Sequence, residues 1–417
     1  MRFLKIALAS GVICLSLSAA AQTSAVGNCK PTLPSYPTIQ QAVNAVTAGS
    51  LIEVCPGPYP EQVVVNKNVT LKGIAAANQG AAIITSPAGG LVQNTASLAT
   101  GNPIAAQLLV QAPATAVTIT NITVDGNNSQ IATCGLNPIG IYFQNASGTI
   151  TRVAVLNSTP SPGFEGCQTG LGIFAQSGGG GGSVVTISSN HVEGYAKNGI
   201  TGNEGGTNVT ITGNSVIGVG PTTGAAQNSI QIGFGAAGNI TKNTVGSDVW
   251  SPDNIGDPGD AAAGILVYAS AGVNITSNNV SDTQFGIAVV SDPNFGNANN
   301  SLVTKNTVSA THIFDGIDLC SNGNTVNTNI VNGSDEAGIH VDDSCTGSAT
   351  GNQVTKNTIN SACAGILIGP GATGNTTAPN TYYNVVTQRL DNATQCSPPA
   401  RPSKKGSRHA TVRAARP

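Results

Sequence analysis

Six of the 19 acidic residues of this chain fall between positions 315 and 343: Asp315, Asp318, Asp335, Glu336, Asp342 and Asp343. Two of the four histidines, His312 and His340, accompany them, and no Lys or Arg interrupts 312–345. Carboxylates beside an imidazole support three chemistries. A pair of carboxylates can hydrolyse a glycosidic bond, a histidine tuned by an acid can move protons, and a set of oxygen donors can hold calcium. The plain alternative is a solvated acidic stripe.

Spacing sharpens the choice. Asp318 lies in Gly316-Ile317-Asp318-Leu319 and His340 in Gly338-Ile339-His340-Val341, each two residues after its glycine. Successive side chains of a strand point to opposite faces. With Ile317, Leu319, Ile339 and Val341 turned inward, Asp318, His340 and Asp342 turn outward. Equivalent places after the glycines put Asp318 and His340 on adjacent strands, one above the other. Asp342 follows one pleat further along, and Asp315 and Asp335 flank the same sheet. Asp318, His340, Asp342 and Asp315 are therefore the expected catalytic set. Asp335, Glu336 and Trp250 are the expected substrate contacts. Trp250, the only tryptophan, opens a loop with Asp253, Asp257 and Asp260 and offers a sugar-stacking ring beside a weak calcium site. No cofactor is required by these donors; calcium is the one that the oxygen-rich pattern suggests.

These residues need a frame that repeats. The Gly-Ile step recurs at Gly140, Gly172, Gly199, Gly264, Gly286, Gly316, Gly338 and Gly365, with Ser229-Ile230 filling the slot between 199 and 264. The bare spacing is 22 residues and the longer ones accommodate loops. A second register runs through Asn190, Asn214, Asn243, Asn279, Asn306, Asn329 and Asn357. Asn tolerates left-handed turns and can stack its amide rung on rung. Repeats of this length mark a solenoid. Strands of three to five residues with no room for a crossover helix select a parallel β-helix. Upstream, Ile39, Ala42, Val43 and Val46 share one helical face, which predicts a short helix over 38–47 covering the open end.

Composition bounds the rest. Arg2 and Lys5, an apolar run and Ala19-Ala20-Ala21 read as a secretory signal over 1–21, so the chain is expected outside the cytoplasm, secreted or periplasmic. Eight cysteines remain after it, an even number that favours disulfides in an exported chain. Neighbours in sequence are the expected pairs, 29–55, 134–167, 320–345 and 363–396, although sequence alone leaves connectivity open. Six of the 17 basic residues lie in 401–417 and two in the signal, which leaves nine against 19 acids, a net charge of −10. That charge disfavours nucleic acid as a partner. No stretch approaches membrane length. The expected layout is a signal over 1–21, a tether over 22–37, the β-helix over 38–390 and a C-terminal segment over 391–417 with a basic disordered tail.

The run from Thr38 to Gly73, with its amphipathic helix, strand, Pro-Gly turn and two further strands, resembles the start of pectin methylesterases and of many secreted proteins of the pectin-lyase-like superfamily. The resemblance covers most of 36–390 and implies an all-β, single-stranded right-handed parallel β-helix with a short N-terminal capping helix. It implies no catalytic residues. The aspartate and arginine motifs of pectin methylesterases are absent. Val341-Asp342-Asp343-Ser344 is the nearest approach to those of polygalacturonases, and Arg152 and Arg389, the only arginines of the body, lie away from the acids. The expected function is binding or processing of extracellular polysaccharide, with hydrolysis favoured over elimination or ester cleavage. The alternative is a non-catalytic structural or adhesive rod. Oligomeric state is not legible.

Overall fold

The computed structural model describes residues 21–75, 80–250, 260–396, 411–412 and 414–417. Most of the signal and the acids Asp253 and Asp257 lie outside these residues. Each turn of the chain contributes short strands to three long faces. One face is a 13-stranded sheet; the other two are ladders within a 23-stranded sheet. Nearly all pairings are parallel, the one antiparallel ladder being Thr95–Ala96 with residues 103–104. The third face holds the Gly-Ile steps: residues Asn137–Gln144, Leu171–Gln176, Asn198–Asn203, Asn228–Gly233, Ala263–Tyr268, Phe285–Val290 and Ile317–Cys320 stack in order, followed by the second half of Ile330–Val341. The chain is a right-handed parallel β-helix with one α-helix among the described residues, Ile39–Ala45.

Alternation along each strand fills the coil with Val and Ile. Ile141, Ile173, Ile200, Ile230, Ile265, Ile287, Ile317, Ile339 and Ile366 belong to one continuous buried core. The glycine before each isoleucine is there for space. A Cβ at Gly172 would come within 2.6 Å of both the Gly199 carbonyl and Val192 Cγ1, below any tolerated contact. Stacked rungs thus exclude side chains at this corner except at Ser229.

The asparagine register forms a hydrogen-bonded ladder. Asn190, Asn214, Asn243, Asn278, Asn306, Asn329, Asn357 and Asn380 are linked in sequence, each Nδ2 donating to the next Oδ1 at 2.9–3.0 Å. Two details differ from expectation. Asn278, which precedes Val280 as its counterparts precede their valines, takes the place expected of Asn279; Asn279 is exposed. The left-handed backbone also falls on the residue before each amide from Asn190 to Asn357, such as Lys242 (φ 56°), Lys305 (58°) and Lys356 (60°), rather than on the asparagine. Asparagine is selected here for its side-chain amide alone.

The helix caps the N-terminal end, with Ile39, Ala42 and Val43 buried. Thr38 accepts from Gln41 N at its start, and the Glu61 carboxylate accepts from Ile39 N and Gln40 N, a favourable charge at a helix N-terminus. The residues expected to be a tether depart from that expectation: Thr23–Val26 pair in parallel with residues 51–54, so the first sheet begins ahead of the helix. All four expected cysteine pairs are disulfides: Cys29–Cys55, Cys134–Cys167, Cys320–Cys345 and Cys363–Cys396. Four disulfides fit an extracellular or periplasmic setting. No helix among the described residues is long and apolar enough to cross a membrane.

The end of the basic tail is ordered, contrary to the expected disorder. Thr411–Val412 pair in parallel with Asp260–Ala261, and residues 414–417 lie against the outer surface of the third face.

Candidate acid–histidine site

The outer side of the third face carries one continuous row, read rung by rung: Leu109, Tyr142, Phe174, Thr201, Gln231, Leu266, Ala288, Asp318, His340 and Leu367. Asp318 pairs directly with His340 in the ladder. The strand period places both outward, but neither is solvated: Asp318 is 5% and His340 4% exposed. The outward orientation agrees with the expected catalytic set, but in place of the alternative, a solvated acidic stripe, the residues form a buried cluster.

Asp315 completes it. It lies in the turn just before the glycine of its strand and is 2% exposed. Its Oδ1 accepts from Ala337 N at 2.9 Å, and its Oδ2 meets His340 Nδ1 at 3.1 Å. A carboxylate on Nδ1 fixes the ring and leaves Nε2 directed elsewhere. His340 Nε2 and Asp318 Oδ1 are both buried without a hydrogen-bond partner. One oxygen each from Asp315 and Asp318 and one His340 nitrogen lie within 4.8 Å of one another. Unpartnered buried polar atoms are costly, so two in one cluster are a cost that needs an explanation.

Electrostatics assigns the protons. Burial raises the Asp318 pKa well above its ordinary value and the charge of Asp342 raises it further, while His340 opposes both. Burial alone would lower His340, but Asp315, Asp342 and Asp318 outweigh it and push the ring up to about 10. The cluster therefore favours the proton-bearing form of both Asp318 and His340. Both can give a proton or a hydrogen bond to a group placed between them.

The other expected site residues divide. Asp342 is half-buried and turned into its own loop, where Oδ1 accepts from Ser344 N and Oδ2 from Ser344 Oγ. It sits beside the Cys320–Cys345 disulfide and acts on the cluster through its charge. Asp335 accepts from Ile313 N, and Glu336, 5% exposed, accepts from Cys396 N; both brace the chain and neither is among the three grouped donors. Trp250 is held by Gly224, whose carbonyl accepts its indole N–H, and by Gln284, which accepts from its backbone. These bonds fix its indole N–H and its backbone in place.

A second buried acid was not expected. Asp248 accepts from Tyr195 Oη at 2.9 Å and from Ser229 Oγ at 2.5 Å, and all three are fully buried. Burial, partly offset by these hydrogen bonds, pushes its pKa up to about 8. The signal in the sequence was Ser229 in a glycine slot.

The scan against family models matches residues 235–394, a stretch that includes the whole cluster, to "Periplasmic copper-binding protein (NosD)". Among solved structures the chain is similar to the A-module of the mannuronan C-5 epimerase AlgE4 of Azotobacter vinelandii, at 12% identity over 90% of this chain and 95% of that one, with a TM-score of 0.50. It is also similar to the catalytic domain of a GH87 α-1,3-glucanase, at 13% identity over 89% of this chain and 66% of that one, TM-score 0.60. A GH136 lacto-N-biosidase from Eubacterium ramulus gives 12%, 87%, 68% and 0.56. These structures share with this chain the fold of a parallel β-helix. At these identities the likeness establishes the fold of the β-helix and not its chemistry. No curated protein matches it in sequence.

Proposed function

We propose that this β-helix is an exported protein that processes polysaccharide by proton transfer at the Asp318–His340 cluster. The observation that carries the reading is the pair of unpartnered buried atoms, Asp318 Oδ1 and His340 Nε2, on the outer face. In hydrolysis Asp318 donates its proton to the leaving glycosidic oxygen. The His340 imidazolium stabilises the negative charge developing there. Asp315 positions His340 and keeps it charged. Asp342 is the second carboxylate of the hydrolysis: it takes a proton from the water that bonds to the anomeric carbon as the glycosidic C–O bond breaks. The three neighbouring structures named above carry carbohydrate-enzyme descriptions, which supports a glycan as substrate. The deciding experiment is a polysaccharide panel assayed for new reducing ends and for unsaturated products. Reducing ends lost in Asp318→Asn support hydrolysis. Unsaturated products, or activity untouched by Asp318→Asn, refute it.

A second reading has its own observation: two carboxylates and an imidazole converge within 4.8 Å. That donor set suits a first-row divalent ion better than calcium, which prefers oxygen alone. The copper named by the matching family would find one imidazole and two carboxylates here, since the nearby Cys320 and Cys345 are oxidised to a disulfide. Metal analysis of protein purified without chelator tests this reading. A stoichiometric ion that disappears in His340→Gln would establish it in place of proton transfer.

A further inference from the structure

The outer face three rungs before Asp318 is occupied by the chain itself. Ala415 N donates to Gln231 Oε1 at 2.7 Å, and Ala415 O accepts from Gln231 Nε2 and Asn203 Nδ2, both at 2.8 Å. Arg416 makes a two-pronged ion pair with Glu204 at 3.0 and 3.1 Å. Its guanidinium stands 4.8 Å from the Phe234 ring centre and 5.1 Å from that of Phe295. Thr100 Oγ1 donates to Pro417 O at 2.7 Å.

The surface beneath this segment is unusual for the outside of a solenoid. Asn198, Asn203, Asn228 and Gln231 are fully buried and joined by amide hydrogen bonds. On one side lies the stacked pair Tyr142–Phe174, with ring centres 4.8 Å apart. On the other, Phe234 and Phe295 meet nearly at right angles, 87°, and with Glu204 form a box open to one cation. Amides that read hydroxyl groups, a flat aromatic floor and an anionic aromatic corner are the equipment of a sugar-binding groove. Ala414 packs on an apolar strip that runs through Leu266 and Ala288 to Cys320 and Cys345, and so reaches the acid–histidine cluster. At roughly 4.8 Å per rung, Gln231 is about 14 Å from Asp318, a few sugar units along one line.

We infer that residues 414–417 fill glycan subsites of the Asp318–His340 site, and that the native occupant is a polysaccharide bearing protonated amino groups. Arg416 marks where its ammonium sits, between Glu204 and the two phenylalanines. The body's net charge of −10 repels a polyuronate and attracts a polyamine. Because the segment is tethered, its effective concentration is high and it competes with any incoming chain. The groove opens when the segment is displaced or cut. This inference rests on the carbohydrate reading of the cluster, but it concerns binding, which can be measured without turnover.

The experiment compares the full chain, a variant lacking 411–417 and Arg416→Ala, each with and without Asp318→Asn. The probes are a chitosan oligosaccharide, a neutral β-glucan and polygalacturonate, followed by calorimetry. Removal of 411–417 is expected to tighten chitosan binding at least tenfold and polygalacturonate binding not at all. Glu204→Gln in the shortened chain is expected to abolish the gain. Arg416→Ala, which leaves the rest of the segment in place, gives a smaller gain in the same direction and serves if the shortened chain folds poorly. Equal affinity of full and shortened chains for every probe overturns the inference. So does a shortened chain that binds a peptide of residues 411–417 but no polymer, which would assign the groove to a basic protein partner. Chitosan binding released by shortening, without turnover in any variant, overturns the hydrolytic reading and leaves the groove standing. Equal turnover of the amine-bearing polymer by the full and shortened chains does the reverse.

Discussion

Asp248 and Asp318 are both buried aspartates with pKa values raised by burial, yet their surroundings differ in kind. Asp248 lies in a corner of the coil, and both its oxygens accept hydrogen bonds, from Tyr195 and Ser229. Asp318 lies on the outer row beside a histidine, and its Oδ1 has no partner. A raised pKa is thus no mark of function by itself. A satisfied buried acid joins rungs together. An unsatisfied one, next to an unsatisfied imidazole nitrogen, is an interaction kept in reserve for something else.

The largest effect should separate the two on activity. Asp318→Asn is expected to lower turnover about 100-fold or more, the usual worth of a general acid, with little change in the thermal midpoint. Asp248→Asn should leave turnover per folded molecule intact. Steady-state assays alongside thermal unfolding check both, and a large activity loss in Asp248→Asn would erase the distinction.

Stability should show the reverse order. Asp248→Ala strips Tyr195 and Ser229 of their acceptor and opens a cavity, at a cost of about 2–4 kcal/mol. Asp318→Ala removes a desolvated acid whose Oδ1 has no partner and should cost less than about 1 kcal/mol, or stabilise, as substitutions in functional clusters often do. Denaturant titrations of both variants decide this.

The pH dependence of stability is a finer test. The folded chain holds a proton on Asp248 up to about pH 8, while an unfolded aspartate releases it near 3.9. Stability from this group is complete below about pH 4 and lost as pH rises through 8. His340 keeps its proton up to about 10, against roughly 6.5 unfolded. Its contribution is complete below about 6.5 and lost as pH rises through 10. Both slopes run downward, so the thermal midpoint should fall steadily from pH 5 to 10. Asp248→Asn should flatten the lower part and His340→Gln the upper.

Trp250 should matter least. Trp250→Phe removes the hydrogen bond to Gly224 O, worth about 1 kcal/mol, and should leave glycan binding unchanged. A loss of binding would bring the tryptophan back into the site.

Much of this was legible in sequence, for a physical reason. A stacked coil repeats its steric demands, so the glycines, isoleucines and asparagines recur and declare the rungs. Once the register is known, the meeting of Asp318 with His340 follows from counting. What counting could not supply is whatever depends on chain from elsewhere. The burial of the outer face was invisible because part of what lies on it comes from residues 414–417, far from the strands in sequence and outside the repeat. What anchors Trp250 was hidden because its partner, Gly224, lies in a loop that carries no register. The Asp248 knot was hidden because its only trace is one serine where a glycine belongs.

The asparagine ladder has a consequence for how such a protein can change size. Each amide accepts from the asparagine before it and donates to the next and to one backbone carbonyl, in the same pattern at every rung, so the ladder is a chain of identical couplings with no link that knows its own place. A whole turn can be inserted or deleted and the couplings re-form behind it, whereas a shift of one residue breaks them all. Length is therefore a quantity this protein can vary in discrete steps. One turn removed between Gln231 and Asp318 would leave the coil intact while drawing the cluster about 4.8 Å nearer the segment that covers the groove, so the number of sugars between them becomes something set by counting turns.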